Sequence, residues 1–137
     1  MDKSSFRFNA SPYGSGEYIA EVDGLKIEIS EKYFSDEKVA FAEKLIASYP
    51  TKVPALAKFC MESECFKACY PDETMDTIME KLHLPDMRID NIGGILTYYN
   101  HELDEEHIIE VEFSGLMNSF FSVGIDRRIY QKKIKGQ

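Results

Sequence analysis

With 137 residues, 44% of them hydrophobic and 12% aromatic, the chain has apolar material for one packed domain, residues 1–137, too little length for two, and a composition unlike that of disordered proteins. A net charge of −8 argues against a phosphate-binding surface, and the want of any eighteen-residue apolar run argues against a membrane-spanning helix, so neither nucleic acid nor membrane is an expected partner. The charge is unevenly placed: Asp86 to Asp126 holds nine acids and one base, Arg88, whereas Arg127 to Gln137 holds five bases and no acid. An acidic segment beside a basic tail points to protein association electrostatics.

The opening MDKSSFRFN has no apolar run after its lysine, so no signal peptide is expected. SPYGSG at 11–16 reads as a loop. Two period-two runs follow, Glu17 to Asp23 and Leu25 to Ser30, joined at Asp23-Gly24, a hairpin-turn dipeptide. Ser35 is placed as an N-cap with Asp36 and Glu37 in the first turn, and Val39, Ala42, Leu45, Ile46 and Tyr49 form one helical stripe. Pro50 is expected to stop that helix and Thr51 to open a second one through about Tyr70, with Leu56, Phe59, Cys60, Ser63 and Phe66 buried. Asp72 is expected to cap a third helix to about His83, carrying Met75, Ile78, Met79 and Leu82 inward. Pro85 ends the helical half.

Four strand patterns then run from Met87 to Ile92, Ile95 to Asn100, His107 to Phe113 and Ser119 to Asp126. The expected connections are Gly93-Gly94, the acidic turn Glu102 to Glu106, and Gly115 with its neighbours, all too short for anything but antiparallel neighbours. The fold class is therefore α+β: an antiparallel sheet of about six strands in the order ββαααββββ, with three helices on one face.

Cys60, Cys65 and Cys69 are an odd number on one helical stretch, where a disulfide fits poorly, so free thiols and a cytoplasmic address are expected. His101 and His107 flank a turn rich in carboxylates, yet HELDEEH spaces its histidines six apart across a turn, unlike a zinc helix, and no metal site is assigned. No phosphate-binding or nucleophile motif occurs, and no catalytic residue or cofactor is assigned. Between His101 and Glu112 lie six acids and no base. Glu102, Asp104, Glu105, Glu106, Glu110 and Glu112 are thus candidate partner-binding residues, with Tyr98 and Tyr99 as candidate aromatic anchors. The basic tail either docks on this meander or stays solvated.

From Met61 to Asp126, the run Glu80-Lys81-Leu82-His83-Leu84-Pro85, then Ile89-Asp90, Gly93-Gly94, the Tyr-rich strand, His107 to Phe113 and Ser122 to Asp126 resembles a family of short bacterial domains of unknown function. That family is similar to immunity proteins of polymorphic toxin systems, including contact-dependent growth inhibition. The resemblance implies a binding protein, not an enzyme, that neutralises a cognate toxin, basic and in some systems a nuclease. It covers about half the chain and carries no chemically diagnostic motif. Two other readings stay open: a small-molecule-binding or enzymatic domain with a pocket between helices and sheet, and a homodimer formed through a strand edge.

Overall fold

The computed structural model describes residues 1–128. A short 3-10 turn, Lys3–Ser5, precedes β1 (Arg7–Asn9), β2 (Glu17–Val22) and β3 (Leu25–Ser30). The helices α1 (Asp36–Glu62), α2 (Glu64–Cys69) and α3 (Met75–Leu82) follow, then β4 (Asp86–Ile89), β5 (Gly93–Tyr98), β6 (His107–Ser114) and β7 (Ser119–Arg127). All seven strands form one sheet in chain order. The expected α+β class holds, with β1 as an additional strand.

The sheet is not wholly antiparallel. β3 and β4 run parallel, with Ile27 beside Met87 and Ile29 beside Ile89, and every other pair is antiparallel. A parallel pair needs a long crossover, and the helical segment between Ser30 and Asp86 supplies it. The inward row of the strands, including Ile27, Ile29, Met87, Ile89, Leu96, Tyr98, Ile109, Val111 and Phe113, is buried against all three helices in one core.

The two helices expected around Pro50 are one. α1 runs through Pro50 and Pro54, opened as expected by Ser35, whose hydroxyl accepts from the Lys38 N–H at 3.1 Å. An interior proline costs about 3 kcal/mol. The apolar stripe, however, stays in phase across both prolines through Tyr49, Val53, Leu56 and Cys60, at spacings of four, three and four. Leu56 and Cys60 are fully buried. Each fully buried apolar side chain contributes roughly 1.5–3 kcal/mol, so keeping the stripe on the sheet outweighs the broken turns. The real break falls at Ser63, which leaves helical dihedrals at φ −77° and ψ 133°. α3 is capped by Thr74 in place of the expected Asp72, because Thr74 and Thr77 satisfy each other's backbone N–H groups in a capping box.

Gly93-Gly94 is also not the turn. Both glycines are buried at the start of β5, and the bend is Asp90 to Ile92, where the Asp90 carboxylate accepts from the N–H groups of Ile92 and Gly93 at 3.0 and 2.9 Å. The glycines are needed for close approach. A Cβ on Gly93 would lie 2.1 Å from the Phe113 carbonyl oxygen, and one on Gly94 2.1 Å from that of Arg88.

All three cysteines are free, Cys60 buried and the other two exposed. The Cys65 thiol donates to the Val123 carbonyl at 3.0 Å, setting α2 against the last strand, whose register is broken by a bulge at Glu112/Phe113. Both features blunt an edge strand. Among the described residues no helix is long and apolar enough to cross a membrane.

Gly94→Ala should destabilise the protein by about 2 kcal/mol or more, at the upper end of overpacking costs, because backbone must move to admit the methyl group. Urea unfolding measures it, with Gly14→Ala, where nothing lies within 4 Å of the added carbon, as the near-neutral control.

Candidate functional site

Because the helices cover one face, the alternate residues of each strand form a second face that no helix covers. Register places Ile19, Glu28, Arg88, Ile95, Glu112 and Ser122 in one row across it, and Glu21, Lys26, Asp86, Thr97, Glu110 and Gly124 in the next. Glu17 and Asp126 lie on the same side by alternation. Seven carboxylates thus share this face with three bases, Arg7, Lys26 and Arg88. Two of those bases are already engaged: Lys26 pairs with Glu28 at 3.3 Å and Arg88 with Glu17 at 3.4 Å. A shallow cavity of about 240 Å³ opens at the centre, lined by Glu28, Asp86, Arg88, Ile95, Thr97, Tyr99 and Glu110.

Two of these acids, Asp86 and Glu110, are held at a cost. Burial pushes the Asp86 carboxyl above its usual range, Glu28 and Glu21 add to the rise, and Lys26 opposes it. Burial likewise raises Glu110, reinforced by its hydrogen bond and charge contact with Asp126 and by the charge of Glu112. The Tyr99 hydroxyl is raised by burial and then by Asp86, Glu28 and Glu110, which reports a negative potential converging on that ring.

The residues singled out in the sequence divide into three groups. Glu110 and Glu112 stand on the open face, and Tyr99 sits half-buried on its cavity. Glu102, Asp104, Glu105 and Glu106 occupy the β5–β6 turn at the end of the sheet, where Glu105 and Glu106 are exposed and Glu102 meets His83 Nε2. Asp104 is a brace for that turn: its carboxylate accepts from the Tyr70 hydroxyl at 2.8 Å, pairs with His107 Nδ1 at 2.7 Å and caps the N–H groups of Glu106 and His107. Burial works against its charge, yet these hydrogen bonds hold it below the ordinary range. Tyr98 is a core residue with no exposed surface, its hydroxyl hydrogen-bonded at 2.7 Å to that of Tyr49, so it has nothing to offer a partner. Strand alternation decides this, since Tyr98 falls in the inward row with Leu96 and Tyr99 does not.

The turn is more than a solvated acidic loop. His101 is buried; its Nδ1 accepts from the Leu103 N–H at 3.0 Å, and its Nε2 therefore carries the proton donated to the His107 carbonyl at 2.7 Å. Arg128 donates to that same carbonyl through Nε, and its own N–H reaches the Glu106 carbonyl, both at 2.8 Å, so the first residues of the basic tail lie against the turn. The rest of the tail, Ile129 to Gln137, lies outside the described residues. Among the described residues no three His, Cys, Asp or Glu side chains converge as metal ligands do.

Sequence reasoning missed Glu17, Glu21, Glu28 and Asp86. Their alternation with apolar neighbours was visible, but only the parallel β3–β4 pairing brings the N-terminal acids beside Glu110 and Glu112. No family model, curated protein or solved structure matches the chain.

Burial, the charge of Arg128 and that of His107 lower the His101 pKa, against the hydrogen bond to the His107 carbonyl. The unfolded chain therefore takes up this proton first as pH falls below the ordinary value of 6.5, and His101 contributes a loss of stability on acidification in that window. His101→Gln should flatten that part of the stability–pH curve, measured by urea unfolding at stepped pH. Glu110 has the opposite sign. Its folded pKa is raised, so its ionised form costs stability above that pKa and protonation relieves it; Glu110→Gln should raise the urea midpoint at pH 7 and leave it nearly unchanged at pH 4.

Proposed function

We propose that the chain is an immunity-type binding protein that engages a basic toxin domain through the open face of its sheet and covers the cationic surface with which the toxin would hold its substrate. One observation carries this reading: burial and like charge penalise the carboxylates of Asp86 and Glu110, yet both remain together on a face that no helix covers. Such an arrangement lowers stability in the free protein, and an incoming lysine or arginine would relieve it. Groups that cost stability and serve no packing role are where binding function concentrates. The family resemblance of Met61 to Asp126 supports the same assignment.

Area decides how much of the acidic surface takes part. Seven strands spaced about 4.8 Å apart and running roughly 20 Å give a face on the order of 600 Å². A standard interface buries about 800 Å² on each partner. The open face is thus most of an interface but not all of one, and the adjoining turn with Glu105 and Glu106 is the natural rim. In this reading Tyr99, flanked by Glu28, Asp86 and Glu110, is the central anchor and stacks on a guanidinium. The protein performs no chemistry on its partner; it occludes.

The test is association kinetics with a toxin domain encoded next to this chain's gene, the neighbour that the immunity reading requires. Joint Glu28→Gln, Glu110→Gln and Glu112→Gln substitution should slow association at low salt about tenfold or more and flatten its dependence on ionic strength. Glu105→Gln with Glu106→Gln should have a smaller effect of the same kind. If the sheet-face variant associates at the unchanged rate while the turn variant does not, the binding face is the turn. If the wild-type protein does not bind the toxin domain, the immunity reading fails.

A further inference from the structure

The open face is unevenly charged along the sheet. Its three bases, Arg7, Lys26 and Arg88, belong to β1, β3 and β4, whereas β6 and β7 present Glu110, Glu112 and Asp126 there and no base. β6 lies two strands from Arg88, roughly 10 Å at the ordinary strand spacing, and the Arg88 guanidinium is already turned to Glu17. Among the described residues no base pairs with any of these three carboxylates.

Between these acids the face has a gap. Gly124 stands opposite Glu110 in the interior of β7, where a glycine weakens the strand, and the bulge of this pair lies elsewhere, at Glu112/Phe113. Gly93 and Gly94 are required by neighbouring backbone, and Gly24 and Gly115 by their positive φ, but a Cβ on Gly124 would meet no described atom within 4 Å. A strand-interior glycine without a use inside the fold marks a place where another backbone comes close.

A segment of the right charge starts beside it. Arg128 is held at the end of the sheet that carries Asp126, its N–H on the Glu106 carbonyl and its Nε on that of His107. Residues 129–137, outside the described residues, hold Lys132, Lys133 and Lys135 and no acid. A chain of nine residues reaches roughly 30 Å when extended, about three times the step from β7 to β5. A tether of that length holds its ligand at an effective concentration in the millimolar range, so a contact of only about millimolar strength keeps the face about half covered.

We propose that residues 129–137 are an internal occupant of the open face, lying back across β7 and β6 with their backbone over Gly124 and their lysines on Glu110, Glu112 and Asp126, and that a basic partner has to displace them. The competition with a partner rests on the immunity reading. The contact itself is a property of this chain alone, and its test uses no toxin.

Joint Lys132→Gln, Lys133→Gln and Lys135→Gln substitution in the full chain removes the charge and keeps the length. At about 20 mM salt this variant should move the amide NMR signals of Glu110, Glu112 and Gly124 and leave those of Ser48 and Thr51 on α1 in place. At about 0.5 M salt, where screening acts within a few ångströms, the two spectra should coincide at these positions. In a Gly124→Val background, where the gap is filled, the same three substitutions should move Glu110 and Glu112 less than about half as far. Hexalysine, followed at the Gly124 amide at low salt, should bind the triple variant at least about twofold more tightly than wild type, because it no longer competes with the tether. Coincident spectra at low salt, changes confined to Glu105 and Glu106 in the turn, or equal hexalysine affinity would each overturn the proposal. A toxin domain that does not bind overturns the immunity reading and leaves this contact standing.

Discussion

The parallel pairing of β3 with β4 is the constraint on which the remaining structure depends. A crossover between parallel neighbours has to pass over one face of the sheet, and here the crossover contains all three helices. One face therefore receives the helices and the main core, and the other is left without a helix over it. Ile27, Ile29, Met87 and Ile89, all essentially inaccessible, lie at the middle of this arrangement, with a hairpin on one side and a three-strand meander on the other. The open face follows from the route of that crossover.

Burial and charge then pull in opposite directions on the two faces. On the inner face polar groups are few and satisfied: the Tyr49 and Tyr98 hydroxyls bond to each other, and burial drives the pKa of Tyr49 to about 12. No buried side-chain nitrogen or oxygen among the described residues lacks a partner. On the outer face carboxylates crowd together, and burial with like charge raises the pKa values of Asp86 and Glu110. A fold selected for stability alone has no reason to place Glu110 beside Asp126 and near Glu112, because like charges in partial burial oppose ionisation. The inner face carries stability and the outer face expends some of it.

The turn after β5 links the two halves of the molecule. Asp104 joins it to Tyr70 just after α2, Glu102 joins it to His83 after α3 and, through its N–H, to the Lys81 carbonyl, and Arg128 closes it from the last strand. The three histidines of the chain all meet this turn. Several of its acids are structural for that reason, and the exposed carboxylates of Glu105 and Glu106 are the part left for solvent or a partner.

Local patterning determined much of this in advance. Six of the seven strands, the Ser35 cap, the inward row of β6 and the three free cysteines follow from alternation, capping chemistry and helical spacing, which act over a few residues and so are written in consecutive letters. Where a local rule competed with packing, the local rule lost. Pro50 breaks an isolated helix, but the in-phase stripe from Tyr49 to Cys60 binds α1 to the sheet more strongly; Gly93-Gly94 has the composition of a turn, but the tight β4–β5–β6 contact needs residues without a Cβ. The candidate site was only half legible. Glu110 and Glu112 could be read from the alternation of β6, whereas Glu28 and Asp86 join them through the crossover, and Tyr98 and Tyr99, adjacent in sequence, are separated by the sheet into core and surface. Charge density is a property of the sequence, but which charges share a face is set by strand pairing, and pairing between residues some sixty positions apart is decided only when the helices between them have packed.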